Sequence, residues 1–136
     1  MGRKADMAMI ADLKKELERE AEEQNIPILR AAERKLLLDT AAEADPKRIL
    51  EVGTAVGYSA LLLAERLPLA EIDTIEIDAL RNERAVSVMQ AAGFEKRVRC
   101  HLGDAGEVLP TLTGLYDFIY LDGPKGQYIR HLKLIE

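Results

Sequence analysis

The stretch Ile49-Leu-Glu-Val-Gly-Thr-Ala-Val-Gly-Tyr-Ser59 decides the fold of this chain. Its first four residues predict a buried strand. Gly53 ends that strand, Gly57 follows, and Tyr58 begins a helical pattern. A strand that leads through a glycine turn into a helix presents bare backbone N–H groups and the positive end of a helix dipole to a crevice. The stretch therefore predicts a turn in which glycine lets a ligand approach the main chain, or else a purely structural connection.

Composition places the chain among soluble globular proteins of one domain. It has 136 residues, 48% of them hydrophobic and 32% charged, with a formal net charge of −5. The negative charge argues against nucleic-acid binding over the whole surface, and the 4% of aromatic residues against a base-stacking platform. A single cysteine, Cys100, excludes an internal disulfide framework. With neither a signal peptide nor a run long enough to cross a membrane, a cytoplasmic protein is expected.

Outward from this stretch, the sequence predicts alternating helices and strands. Residues 1–5 are interpreted as a tail, and a break at Asn25-Ile26-Pro27 separates two helices, over 6–24 and 28–44. The later segments are predicted as strand 71–77, helix 78–92, strand 98–102, a helical turn over 103–110, strand 118–121 and a helix from residue 128. We therefore divide the chain into residues 1–27, a tail and charged helix, and residues 28–136, an α/β domain.

The charged helix has a narrow apolar stripe, formed by Ile10, Leu13, Leu17 and Ala21. Opposite charges three or four residues apart, such as Lys14 and Glu18, predict ion pairs within the helix and a solvated charged face. The stripe is expected to dock on the domain or on a helix of a partner chain.

Four strands separated by helical segments predict an α/β fold with a parallel sheet and helices on both faces. In such sheets ligands bind beyond the carboxyl ends of the strands. Polar residues lie there at each of the four strands: 53–59 after the first, Glu76 in the second, Asp104 after the third and Asp122 after the fourth. Their convergence predicts a ligand crevice.

Glu76 lies 76 − 53 = 23 residues beyond Gly53. An acidic group at this point accepts hydrogen bonds from ribose hydroxyls, and the alternative is a solvated charge at a strand end. Asp104 either contacts the base of a nucleoside ligand whose ribose is bound by Glu76, or it is simply the N-cap of the short helix. Ala55 stands at the central glycine position of the pattern Glu-x-Gly-x-Gly-x-Gly. The dinucleotide pattern G-x-G-x-x-G does not fit this stretch. This favours a nucleoside carrying an amino acid over NAD.

Four motifs together carry a resemblance to a known family. They are Glu51-Val-Gly-Thr-Ala-Val-Gly-Tyr-Ser59, Thr74-Ile-Glu76, Gly103-Asp-Ala105 and Tyr116-Asp-Phe-Ile-Tyr-Leu-Asp-Gly-Pro-Lys-Gly-Gln-Tyr128. The chain resembles the metal-dependent O-methyltransferases of the catechol and caffeoyl-CoA type, which use S-adenosylmethionine on the Rossmann-like class I methyltransferase fold. Lys-Gly-Gln-Tyr, with Glu-Gln-Asn-Ile-Pro-Ile upstream, is most similar to the bacterial branch that methylates 5-hydroxyuridine in tRNA.

The resemblance implies a role for particular residues. It implies a cofactor site formed by Leu29, Glu51, Gly53, Thr54, Ala55, Gly57, Tyr58, Ser59, Glu76, Ile77, Gly103, Asp104, Ala105 and Asp122. Asp122 would also bind Mg²⁺, and Lys125 would assist deprotonation of the acceptor hydroxyl. The alternative for Lys125 is an ordinary cation that balances Asp122.

Members of this family continue for several more strands and supply two further metal ligands. This chain ends at Glu136, so only the first four strands are expected, as in a C-terminally truncated enzyme. Cofactor binding is expected to survive and an assembled metal site is not. Strand four would leave an exposed edge, so a homodimer or self-association through that edge or the N-terminal helix is expected.

The acceptor is a tRNA uridine, a catechol or a CoA ester. The competing interpretations are an inactive nucleotide-binding fragment, an NAD-dependent oxidoreductase half-domain and a non-catalytic interaction module.

Overall fold

The computed structural model describes residues 3–26 and 28–121, with side chains described from residue 7 onward. Its helices are α1 (Arg3–Gln24), α2 (Ala31–Ala44), α3 (Tyr58–Arg66), α4 (Ala79–Ala92) and α5 (Ala105–Val108), which continues as a 3-10 turn over Leu109–Thr111. Its strands are β1 (Arg48–Val52), β2 (Glu71–Glu76), β3 (Val98–Leu102) and β4 (Phe118–Leu121). The predicted alternation of helices and strands is confirmed over these residues.

The largest departures from the predicted boundaries are at the amino-terminal end. Residues 3–5, predicted as part of a tail, belong to α1. The second helix begins at Ala31 and not at residue 28, because Arg30 is extended (φ −75°, ψ 163°) and its N–H donates to Glu33 Oε1 at 3.1 Å. This hydrogen bond, from the backbone of the N-cap Arg30 to the side chain of Glu33, fixes the start of α2.

All strand pairs are parallel, and the strand order is β3-β2-β1-β4. β1 therefore lies in the interior of the sheet and β3 at one edge, where a sequence that alternates apolar and polar residues is typical. On the other side of β1, the continuously apolar sequence of β4 is typical of a parallel strand covered on both faces. Instead its residues are half-buried or exposed, and Ile119 is 38% exposed.

The core lies on both faces of the sheet. The larger cluster packs α1, α2, α3 and α4 against one face, with Ile49 and Ile72 at its centre. The smaller cluster lies on the other face, where α5 and the 3-10 turn bring Ala105 and Leu109 against Leu50. Because the two faces are both covered by helical segments, the expected three-layer arrangement is present in the described residues.

The charged helix α1 docks on its own domain. Ile10, Leu13 and Leu17 of its stripe belong to the larger core cluster. Its charges also reach other helices: Lys14 Nζ lies 2.8 Å from Glu65, and Arg84 Nη2 lies 2.7 Å from Glu20. The predicted solvated face with pairs inside the helix was therefore wrong for these residues. No helix in the described ranges has the length and apolar character needed to cross a membrane.

Candidate functional site

A cleft of about 570 Å³ lies beyond the carboxyl ends of β1 and β2. It is lined by Ile28, Leu29, Arg30, Ala32, Glu33, Gly53, Ala55, Glu76 and Arg81. A small recess beside it is lined by Ile28, Leu29, Gly53, Thr54, Ala55, Tyr58 and Ser59. The cleft therefore lies at the predicted carboxyl edge of the sheet, beside the glycine turn and the end of β2, and the segment after α1 forms its other wall.

The glycine turn is built directly onto the end of β2. The N–H groups of Gly53 and Thr54 both donate to the carbonyl oxygen of Ile75, at 2.9 and 3.1 Å. Gly53 has φ 98°, a left-handed conformation that glycine adopts without strain. Ala55, which occupies the central glycine position of the family pattern, also has a positive φ of 50°. The turn thus keeps the shape of a glycine-rich loop with a methyl group at its centre.

Glu76 lines the cleft at the end of β2 and is 6% exposed. Its Oε1 accepts a hydrogen bond from Ala55 N at 2.7 Å, and its Oε2 accepts one from Asp78 N at 2.9 Å. An ionised carboxylate has about four acceptor positions. Two such positions therefore remain, enough to accept both hydroxyls of a ribose.

Glu51 is fully buried beneath the turn and is not part of the cleft wall. It accepts hydrogen bonds from Ser59 Oγ and from Thr74 Oγ1, the latter at 2.6 Å. Since the single hydroxyl proton of Thr74 is used on Glu51, Thr54 Oγ1 must donate to Thr74 Oγ1, 2.6 Å away. Glu51 therefore anchors both ends of the loop, through Ser59 directly and through Thr54 by way of Thr74.

Gly57 serves packing between helices. With φ 90° it forms the left-handed N-cap of α3. A Cβ at this position would lie 3.1 Å from Ala85 Cβ and 3.3 Å from Met89 Cε, both on α4. In the structure, the close neighbours that exclude a side chain at Gly57 belong to α4, whereas the sequence argument assigned that role to a ligand.

The residues predicted at the end of β3 lie at the same edge of the sheet but outside the cleft wall. Gly103 N donates to the carbonyl oxygen of Glu76 at 2.9 Å, which ties the two strand ends together. Asp104 occupies the N-cap position of α5, yet its side chain makes no capping hydrogen bond. Ala105 is buried, and Ile77 is 68% exposed. Asp104 is therefore the N-cap residue by its backbone position, but its carboxylate does not cap the helix.

Sequence reasoning missed one wall of the cleft and one residue of α4. Residues 28–33 form the wall, and of these the sequence argument identified Leu29 alone. Arg81 enters the cleft from the first turn of α4, where its N–H donates to Asp78 Oδ1 at 2.9 Å. The N-cap signal at Asp78 fixes where α4 begins, and this signal could have placed Arg81 beside Glu76.

The predicted catalytic and metal-binding residues, Lys125 and Asp122, lie outside the described residues. Within residues 7–26 and 28–121, no three side chains of His, Cys, Asp or Glu gather as metal ligands would.

Comparison with known proteins decides the family. A family model described as O-methyltransferase matches residues 4–136. The chain belongs to the O-methyltransferase family.

Individual relatives of this O-methyltransferase chain agree with the family model. It is 34% identical to a protein of Mycobacterium tuberculosis named "Probable O-methyltransferase Rv1703c", over 93% of this chain and 58% of the relative. It is 33% identical to catechol O-methyltransferase of Sus scrofa, over 74% of this chain and 58% of the relative. The crystal structure of an O-methyltransferase from Bacillus cereus in complex with S-adenosylhomocysteine superposes with a TM-score of 0.79 at 26% identity, over 92% of this chain and 62% of that one. The chain spans about three-fifths of the length of these relatives, and the class I methyltransferase fold is confirmed.

Proposed function

We propose that this chain contains the cofactor cleft of an S-adenosylmethionine-dependent O-methyltransferase. The observation that carries the proposal is Glu76, which lines the cleft with two acceptor positions open while the other two accept from Ala55 N in the glycine turn and from Asp78 N at the start of α4. The structural relative that holds S-adenosylhomocysteine supports the same ligand class. Bound S-adenosylmethionine would supply an electrophilic methyl group on a sulfonium.

In this proposal the residues around the cleft bind and orient the cofactor. Glu76 accepts the ribose hydroxyls, the 53–59 turn contacts the amino-acid end, and Leu29 closes over the ligand. The carboxylate of Asp104, which makes no capping bond, and the backbone at Ala105 contact the adenine edge. Methyl transfer is an in-line displacement, so alignment by these contacts is the principal contribution of this part of the protein.

Calorimetric titration with S-adenosylhomocysteine and, separately, with NADH tests this assignment. We expect binding of the first and none of the second, because Ala55 and the spacing of the turn do not form a pyrophosphate loop. Binding of NADH alone would replace the proposal with the oxidoreductase alternative. Binding of neither would leave the interaction-module alternative.

We also propose that Mg²⁺ is bound at Asp122 and that Lys125 assists removal of the acceptor proton. This rests on the matching motif in residues 116–128 and on the preference of Mg²⁺ for oxygen ligands. Since one carboxylate supplies too few ligands, a polypeptide of these 136 residues should show no metal-dependent methyl transfer. Robust turnover by that polypeptide with Mg²⁺ would show that its own residues complete the site.

For the acceptor, we propose 5-hydroxyuridine in tRNA, which implies a cytoplasmic protein. The support is the Lys125-Gly-Gln-Tyr128 segment and the Glu-Gln-Asn-Ile-Pro-Ile segment before α2. Catechol is the second candidate, favoured by the Sus scrofa relative. Competing methylation assays with hydroxyuridine-containing tRNA and with catechol, on the gene product as expressed from its natural locus, would decide between them.

Self-association is proposed through the edge of β4. The apolar stripe of α1 packs within its own domain, which leaves β4, half-buried and paired with β1 on one side, as the candidate surface in the described residues. Sedimentation of the 136-residue chain and of Ile119→Lys, which places a charge at the exposed position of β4, would test this. A dimer that persists in Ile119→Lys would contradict association through β4.

A further inference from the structure

The cofactor cleft has two opposing walls that come from different parts of the chain. One wall is formed by residues 28–33, at and before the first turn of α2, and the other by the turn that contains Gly53 and Ala55. The distance between these walls decides what ligand fits. A contact that ties the two walls together would therefore act on cofactor binding without touching the cofactor.

Such a contact is present at Tyr58, the first residue of α3. Its hydroxyl accepts a hydrogen bond from Arg34 Nη1 at 2.8 Å and donates one to the carboxylate of Glu18. Arg34 Nη1 also lies 3.6 Å from Glu18 Oε2. Side chains from α1 and α2 thus meet at one phenol oxygen at the start of α3.

The phenol is well suited to hold this contact. Tyr58 is 2% exposed, whereas Arg34 and Glu18 are 31% and 42% exposed. Burial and the neighbouring Glu18 carboxylate raise the pKa of Tyr58 to about 12, so the hydroxyl keeps its proton near neutral pH. The ion pair between Arg34 and Glu18 is partly screened by solvent, and the two hydrogen bonds to the buried phenol are the stronger connection.

Two of the three residues directly follow the cleft walls in the sequence. Arg34 follows Glu33, which lines one wall, and Tyr58 follows Gly57, the last residue of the loop in the other wall. We propose that Glu18 and Arg34 are positioning residues, which act through Tyr58 to hold residues 28–33 and the loop 53–57 at the separation that the cofactor requires. The proposal rests on the proposed function and deepens it, because it makes the charged helix α1 part of cofactor binding.

A matched control lies on the same pair of helices. Lys14 of α1 pairs with Glu65 of α3 at 2.8 Å, with side-chain exposures of 28% and 32%. Glu65 is 65 − 58 = 7 residues beyond Tyr58, about 10 Å along the helix axis. Loss of this pair would loosen α1 from α3 at the end away from the cleft.

The test compares binding of S-adenosylhomocysteine by two variants of the 136-residue chain. Tyr58→Phe removes the hydroxyl and keeps the buried ring, and we expect its dissociation constant to rise about fivefold to tenfold. Lys14→Met should change the dissociation constant less than twofold, although both variants lower the melting temperature. Equal dissociation constants for the two variants would overturn the proposal.

Conservative variants at Glu18 separate positioning from simple packing. In Glu18→Gln the amide oxygen still accepts from Tyr58, so affinity should stay within about twofold of the parent. Glu18→Ala removes one of the two hydrogen bonds at the phenol, so it should weaken binding, but by no more than Tyr58→Phe. Since Tyr58→Phe already removes that bond, the double variant should be no weaker than Tyr58→Phe alone. Additive losses would contradict this.

Hydrogen exchange in the ligand-free chain gives a readout that does not depend on the proposed function. The amides of Gly57, bonded to Thr54 O at 3.0 Å, and of Arg34, bonded to Arg30 O at 2.8 Å, report on the two walls. Tyr58→Phe should accelerate exchange at both amides and Lys14→Met should not. If the parent chain binds no S-adenosylhomocysteine, the proposed function fails while this exchange comparison still decides the positioning role.

Discussion

Two buried carboxylates on neighbouring strands, Glu51 on β1 and Asp73 on β2, are bound in opposite ways. Glu51 is 0% exposed and accepts hydrogen bonds from the hydroxyls of Ser59 and Thr74. Asp73 is 3% exposed, and its neighbours include three residues with basic side chains. Its partners are Arg48 at 3.4 Å, Arg99 at 3.0 Å, His101 at 2.8 Å and the hydroxyl of Tyr116 at 2.9 Å.

The difference separates a residue of the site from a residue of the scaffold. The hydroxyls on Glu51 belong to the loop and to the strand beside it, so this carboxylate sets the shape of the turn. The guanidinium groups on Asp73 belong to Arg48 of β1 and Arg99 of β3, so that carboxylate holds three strands together on the opposite face of the sheet. We therefore expect loss of Asp73 to act on folding and loss of Glu51 to act on the cleft.

The largest effect is expected for Asp73→Asn. The variant leaves two arginines and a histidine around an uncharged group, and breaking a buried charged pair costs on the order of 3 kcal/mol. Urea unfolding should show this loss, while the dissociation constant for S-adenosylhomocysteine stays within about twofold. Asp39→Asn, which removes an exposed carboxylate paired with Lys35, is the control and should leave the unfolding midpoint in place.

The pH dependence of Asp73→Asn separates charge from packing. Burial raises the pKa of Asp73, but hydrogen bonds from Arg99, His101 and Tyr116 outweigh it, so the pKa lies below its ordinary value of 3.8. A lowered carboxyl pKa contributes stability above the unfolded-state pKa, and that contribution is lost as pH falls through the folded-state value. The difference in the free energy of unfolding between parent and variant should thus be largest at neutral pH and should disappear below about pH 4. If the difference persists at low pH, the variant is destabilised by altered packing and not by the loss of the charge.

Glu76 extends the comparison to a carboxylate that faces the ligand. Glu76→Ala should weaken binding of S-adenosylhomocysteine by about 1.5–3 kcal/mol, as for hydrogen bonds to a charged group. Glu83→Gln, on the exposed side of α4, is the control for the loss of one negative charge. An unchanged dissociation constant for Glu76→Ala would remove the ribose role.

Glu51→Gln should have a smaller effect on binding than Glu76→Ala. The amide group has one oxygen, so it cannot accept from both Ser59 and Thr74 as the carboxylate does. We expect a loss of about 1 kcal/mol in binding of S-adenosylhomocysteine and a smaller loss of folding stability than in Asp73→Asn. If Glu51→Gln lost more folding stability than Asp73→Asn in urea unfolding, the distinction between a site residue and a scaffold residue would be wrong.

The sequence predicted the location of the cleft because that location follows from local signals. The run before Gly53, the acidic end of β2 and the N-cap at Asp78 each act within a few residues. The two buried networks were not predicted. Thr74 and Asp73 look alike in a strand pattern, and their roles depend on partners 20 or more residues away, such as Thr54 and Arg99.

The same limit applies to α1 and to Gly57. The ion pair between Lys14 and Glu65 crosses 51 residues, so intrahelical spacing alone favoured the wrong partner. Gly57 signals a turn in the sequence, but its neighbour Ala85 is set by the packing of α4 on α3. Local chemistry therefore gives the outline of the site, and tertiary packing decides which residues line it.

The smallest effect is expected within the loop that Glu51 anchors, at Ala55. Its φ of 50° costs about 1–2 kcal/mol for a residue with a Cβ, whereas the strands around Asp73 contain no described residue with positive φ. Ala55→Gly removes that strain but increases the freedom of the unfolded chain, which costs about 0.5–1 kcal/mol. The net change should be a gain of up to about 1 kcal/mol in urea unfolding. Ala11→Gly, the same replacement in the interior of α1, should lose about 1 kcal/mol because the helix gains nothing from glycine. If both variants lose the same amount, Ala55 is not strained, and the network at Glu51 holds a relaxed loop.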